Sequence, residues 1–112
     1  MPSYRMHVPI GTLHRGASPA DVMDQAELAL GTLHAVEKKD VEAPVVDGRR
    51  VGRVALRFAV EPSTRGAEDA AARQALGVVI DHLEGTTATV GPSSAVVLTR
   101  GVGGRFRRIP LR

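Results

Sequence analysis

The sequence predicts an α+β domain built from two β-α-β units, with helices on one face of a four- to five-stranded sheet. Three observations carry that prediction. Tyr4-Arg5-Met6-His7-Val8 and Leu56-Arg57-Phe58-Ala59-Val60 share one alternation of apolar with polar or small residues, the period of a half-buried strand. Each is followed by a turn-rich stretch and then by apolar residues at helical spacing. A continuous apolar run, Ala95–Thr99, follows the second helix and reads as an interior strand.

Residues 3–10 form the first predicted strand, with Tyr4, Met6, Val8 and Ile10 on one side and Arg5 and His7 on the other. Pro9 cannot donate a ladder hydrogen bond, so the strand is expected to end there or to lie at an edge. Ser18-Pro19-Ala20-Asp21 is a helix start: serine caps, proline suits the first helical position, and aspartate favours the positive helix end. Val22, Ala26, Ala29, Leu30, Leu33 and Val36 then share one face. That helix is expected to end between His34 and Lys39.

Val41–Val46 is a short strand candidate weakened by Pro44, and Asp47-Gly48 is a hairpin signal. Residues 50–60 are the strongest strand, with Val54, Leu56, Phe58 and Val60 inward and Arg53, Ala55, Arg57 and Ala59 outward. Glu61-Pro62-Ser63-Thr64 breaks the pattern and caps a second helix. Ala71, Ala75, Val78, Val79 and His82 share its buried side, widened by Ala72, Leu76 and Leu83, and Gly85 is its expected stop. Thr87–Val90 is extended, Gly91–Ser94 is a turn, and Gly101–Gly104 leads into a final strand, Arg105–Ile109. A shift of 52 residues superimposes the two alternating strands and a shift of 49 the two helices, which suggests a duplicated unit.

The chain has 112 residues, the length of a single domain, with residues 100–112 set apart as a basic C-terminal hairpin or tail. Nothing approaches the roughly 20 apolar residues of a membrane span. No secretory leader is recognisable, so no membrane partner and a cytoplasmic setting are expected. The absence of cysteine excludes disulfides, thiolate metal sites and a cysteine nucleophile. The four histidines, at 7, 14, 34 and 82, lack the close spacing of a zinc site; neither metal nor cofactor is expected. Residues 85–112 carry Arg100, Arg105, Arg107, Arg108 and Arg112 and no acid, whereas residues 1–84 hold ten basic and twelve acidic side chains. The last quarter is therefore cationic on a near-neutral body.

Arg100, Arg105, Phe106, Arg107 and Arg108 are accordingly the candidate binding residues, for an acidic protein surface or for nucleic acid. Against nucleic acid, Tyr4 and Phe58 lie on apolar strand faces, which leaves Phe106 as the one aromatic for base stacking. Arg5, His7 and Arg57 share the polar strand face and form a candidate anion contact if the two halves pair. A solvated sheet face or a subunit contact is the favoured reading of the same residues. His82 falls within an apolar arc and reads as a core histidine with one hydrogen bond. Ser63, Ser93 and Ser94 lie in turns without a nucleophile elbow. Gly101-Val102-Gly103-Gly104 is not followed by a helix, as a phosphate loop would be.

Met1-Pro2-Ser3-Tyr4 running straight into a strand, and Ser94-Ala95-Val96-Val97-Leu98-Thr99 followed by Gly104-Arg105-Phe106, resemble the tautomerase superfamily of oxalocrotonate tautomerases and migration inhibitory factor proteins. The resemblance extends to the β-α-β order and the length. It implies Pro2 as a catalytic general base once Met1 is removed, because a free secondary amine with a lowered pKa can take a proton. For the family's carboxylate-gripping arginines the candidates are Arg5, Arg15 and Arg57. Tautomerase-like and ferredoxin-like arrangements share this element order. The expected function is a non-catalytic, homo-oligomeric binding or assembly module offering Arg100–Arg112 to an acidic partner, with a proline-based tautomerase or a nucleic-acid-binding protein as the alternatives.

Overall fold

A computed structural model describes residues 1–112. Strand β1 (Ser3–Leu13) leads into helix α1 (Pro19–Gly31) and strand β2 (Ala35–Glu42). A small hairpin, β3 (Val45–Val46) and β4 (Arg49–Arg50), precedes β5 (Arg53–Ala59), helix α2 (Arg65–Thr86) and β6 (Ala88–Val90). After a 3₁₀ turn at Ser93–Ala95, β7 (Val97–Val102) and β8 (Arg105–Arg108) close the chain.

The main sheet is antiparallel throughout, in the order β2-β5-β1-β7-β8, with β6 on the far half of β1. Since β5 is antiparallel to both its neighbours, β1 runs parallel to β2, and by the same reasoning β5 runs parallel to β7. Each helix thus joins two parallel strands that have a third between them. This is the split β-α-β arrangement of ferredoxin-like domains, and both helices lie on one side of the sheet.

The pleat sorts the side chains. Tyr4, Met6 and Val8 of β1, Val54, Leu56 and Phe58 of β5, and Leu98 of β7 are buried beneath Val22, Ala26 and Leu30 of α1 and Ala72, Ala75, Leu76, Val79 and Leu83 of α2. Tyr4 and Phe58 stack with ring centroids 5.9 Å apart. The α1 start is a capping box: Ser18 accepts from the Asp21 N–H, and the Asp21 carboxylate accepts from the Ser18 N–H at 2.8 Å. Asp47 and Gly48 take φ of 50° and 79°, the left-handed pair that a two-residue hairpin requires.

Several expectations change. β1 does not end at Pro9 and is not an edge strand. Pairing with β7 stops at His7 and pairing with β6 starts at Ile10, so the missing proline N–H faces the gap between them. Helix α1 stops at Gly31, where the Leu33 and His34 N–H groups both turn back to the Leu30 carbonyl. Val36 therefore belongs to a strand and pairs with Phe58, and Leu33 is exposed. Helix α2 runs through Gly85 to Thr86, with a buried face rotated from the expected one: Glu68 is inside and Val78 is 36% exposed. His82 bonds Gln25 Oε1 across the helix pair at 2.8 Å; it makes the one expected hydrogen bond but is half-buried at the edge of the helix pair rather than in the core.

Leu56→Ala, which empties a fully buried site under both helices, is expected to cost about 3 kcal/mol in urea unfolding. Val78→Ala is expected to cost under about 1 kcal/mol in the same measurement, because that residue is exposed on the outer side of the helix.

Candidate functional site

The helices leave the other face of the sheet uncovered, and the strand register fixes what it carries. Arg5 pairs directly with Arg57 and with Thr99, and His7 with Ala55 and Val97. Lys38, Asp40 and Glu42 of β2 stand opposite Arg57, Ala55 and Arg53. Residues directly opposite share a face, so all of these belong to one surface. A bulge between Val36 and Lys38 adds Glu37, which accepts hydrogen bonds from Ser3 at 2.7 Å and from Arg57 at 3.1 Å.

On the far side, Phe106 of β8 lies over Gly101, where an added Cβ would stand 3.3 Å from the ring. The Arg5 guanidinium sits 4.3 Å from the ring centroid and that of Arg57 5.6 Å, within cation–π range. A cavity of about 70 Å³ opens among Arg5, Lys38, Asp40, Glu42, Ala55 and Arg57. Beside it, Glu42 accepts from His7 Nδ1 and Arg53 Nε, both at 2.8 Å. Burial pushes the Glu42 carboxyl up, but these two donors outweigh it and hold it below the usual carboxylate range. The Ser3 hydroxyl, aided by Arg57, does the same for Glu37. Every acid of the face stands on β2, beside Lys38, while Arg5, Arg53, Arg57 and Arg108 stand on the strands beyond it.

The sequence grouped Arg5, His7 and Arg57, and the fold brings them together. Glu37 and Asp40 fall between the expected helix end, His34–Lys39, and the strand candidate Val41–Val46, so only Glu42 lay in a segment expected to be extended. The basic C-terminal group divides. Phe106 and Arg108, opposite Gly101 and Thr99, lie on the open face. Arg105 and Arg107, opposite Val102 and Arg100, lie on the helix side of the hairpin and are exposed. Arg100 leaves the group altogether. Its guanidinium lies under the sheet, donating to Glu68 Oε1 at 2.8 Å and to Asp69 Oδ1 at 3.1 Å, and approaching the Tyr4 hydroxyl. Tyr4 in turn donates to Asp69, and Glu68 also accepts the Ser63 N–H at 2.9 Å.

This cluster ties β1 and β7 to the first turn of α2. Burial, then the bond to Asp69, raises the Tyr4 hydroxyl. The Ser63 N–H, then Arg100, lowers Glu68. For Asp69, burial acts upward, but Tyr4 and Arg100 bring the net shift down. The chain end is no loose tail either: the Ile109 N–H bonds the Leu98 carbonyl at 3.0 Å, and Arg73 reaches the Pro110 carbonyl at 3.3 Å.

Pro2 is half-buried and its carbonyl accepts the Val60 N–H at 3.0 Å. It lines neither the open-face cavity nor the cavity of Arg15, which that residue shares with Asp21, Asp24 and Gln25. Tyr4 and Phe58 are fully buried, so Phe106 alone among the aromatics reaches the open face. No helix is long and apolar enough to cross a membrane. No protein-family description, curated protein or solved structure matches the chain.

Because Glu68 and Asp69 titrate lower in the folded chain than in the unfolded one, their stabilisation is complete above the ordinary carboxylate range, near pH 4, and is lost as pH falls through the folded values. The urea midpoint is therefore expected to drop between about pH 5 and pH 3. Arg100→Met, which leaves both carboxylates without their cation, is expected to cost about 3 kcal/mol at pH 7 and to flatten that acid dependence.

Proposed function

We propose that this chain is a non-catalytic, homo-oligomeric binding and assembly module that presents its C-terminal β-hairpin to an acidic protein surface. One observation supports the reading above the others. Of the hairpin's arginines, Arg100 is neutralised internally, whereas Arg105, Arg107 and Arg108 are exposed and make no ion pair within the chain. A structural role for Arg100 accounts for its place in the sequence, and no such role accounts for the other three. They are fixed on a two-stranded ribbon rather than on a mobile tail, so little order is lost when a partner binds. Fixed cations of this kind steer an acidic partner and set its register.

The experiment is fluorescence anisotropy with labelled poly-glutamate as the probe. Micromolar binding that weakens with added salt is expected. Arg105→Glu with Arg107→Glu is expected to weaken it at least about tenfold, with the unfolding midpoint unchanged, because both side chains are exposed. Equal affinity of the variant would contradict the reading. Tighter binding of a single-stranded oligonucleotide than of poly-glutamate would favour the nucleic-acid alternative instead.

A further inference from the structure

The column of side chains that β5 sends under the helices ends early. Phe58, Leu56 and Val54 alternate along it, and the next position of that column is Gly52. Its carbonyl accepts the Ile10 N–H at 2.8 Å, continuing the pairing of β1 with β5. The φ of Gly52 lies outside the left-handed region, and a Cβ added there would meet nothing within 4 Å. Neither the backbone nor the packing therefore requires glycine at this place. The missing side chain leaves a cavity of about 210 Å³ between the first turn of α1, the ends of β1 and β2, and the start of β5. Val22 and Val54, both buried, form its floor beside the half-buried Ile10, while Leu13, Pro19 and Val41 stand exposed at its mouth. The Arg53 guanidinium is turned to the opposite face of the sheet, where Glu42 and the Ala95 carbonyl hold it at 2.8 and 3.1 Å. Further along α1, the ion pair of Lys39 with Glu27, at 3.1 Å, bridges β2 to the helix and bounds the opening on that side.

We infer that this cavity is a binding site for a small apolar molecule: an aromatic ring or short hydrocarbon chain, with any polar end left in the mouth. No charged or hydrogen-bonding side-chain group points into it, so a polar group carried inside would lose its water without replacement. Water in such a site is equally short of partners, and an apolar group that displaces it gains affinity. The volume sets the size. An apolar cavity of about 150 Å³ takes benzene, so this one has room for a ring with a short alkyl chain. It falls below the roughly 300 Å³ at which drug-sized ligands are held. The site lies beside β2, at the opposite edge of the sheet from Arg105 and Arg107 on β8, so it stands or falls independently of the hairpin's acidic partner.

Methyl-resolved NMR of the labelled chain, titrated with toluene, tests it. Saturable shifts are expected at the methyl groups of Ile10, Leu13, Val22, Val41 and Val54, with a dissociation constant below about 1 mM. Gly52→Leu, whose side chain occupies the cavity, is expected to weaken binding at least about tenfold without lowering the urea midpoint. Gly52→Ala adds one methyl group in open space; it is expected to fold whether or not leucine fits, and to weaken binding about threefold. Wild-type shifts that do not saturate overturn the site. So do shifts centred on Ile109 and Leu111, around the separate apolar hollow near the chain end. Undiminished affinity in either folded variant overturns it as well.

Discussion

Everything in this molecule follows from a sheet whose two faces are chemically opposite. Along β1 and β5 each apolar residue is followed by a charged or small one, and the pleat sends the two sets to opposite sides. The apolar set, with Tyr4, Met6, Leu56 and Phe58 at its centre, is enough to seat two helices. The chain has no third helix for the other set. The fold therefore places arginines, a histidine and the β2 acids side by side on the face opposite the helices, where His7, Ala55 and Thr99 are buried among the longer side chains.

The Arg100 cluster is the exception that makes this sorting work on β7. That strand must place a guanidinium on the helix side, beside the core. Glu68 is 6% exposed, and together with Asp69 and the Tyr4 hydroxyl it turns a costly buried cation into a joint between β1, β7 and α2. Replacing one member leaves the others charged and partly out of water, so the cluster acts as a unit. With Arg100 withdrawn, the remaining hairpin arginines fall on two different surfaces, the open face and the outer side. A single basic segment in the sequence therefore becomes two separate features in space.

Much of this was legible in the residues. The alternation of β1 and β5, the Ser18 cap and the Asp47-Gly48 turn are local signals, and each locates its element. The grouping of Arg5, His7 and Arg57 was legible as well, because two strands of matching pattern that pair antiparallel put their polar sides together. What was hidden depended on contacts distant in sequence. Val36 keeps helical spacing from Leu33, and Glu37-Lys38-Lys39-Asp40 is polar on both sides, as an edge strand can be; nothing local marks it as β2. The buried role of Arg100 depends on residues 31 and 32 positions away, and an arginine among arginines gives no sign of it. Pro9 read as an edge signal because its one tolerable interior site, the gap between β6 and β7, exists only once both strands are in place.

The central claim is that the two-faced sheet holds because the guanidinium on its helix side beside the core, that of Arg100, is neutralised by Glu68 and Asp69 next to the Tyr4 hydroxyl. The chain has one tyrosine and no tryptophan, so the ultraviolet absorbance of the phenolate reads this cluster alone. Burial and the bond to Asp69 are expected to hold the Tyr4 hydroxyl well above the ordinary tyrosine range of about pH 10 in the folded chain, and unfolding in urea to return it there. Ionisation at the ordinary value in the folded chain would contradict the account.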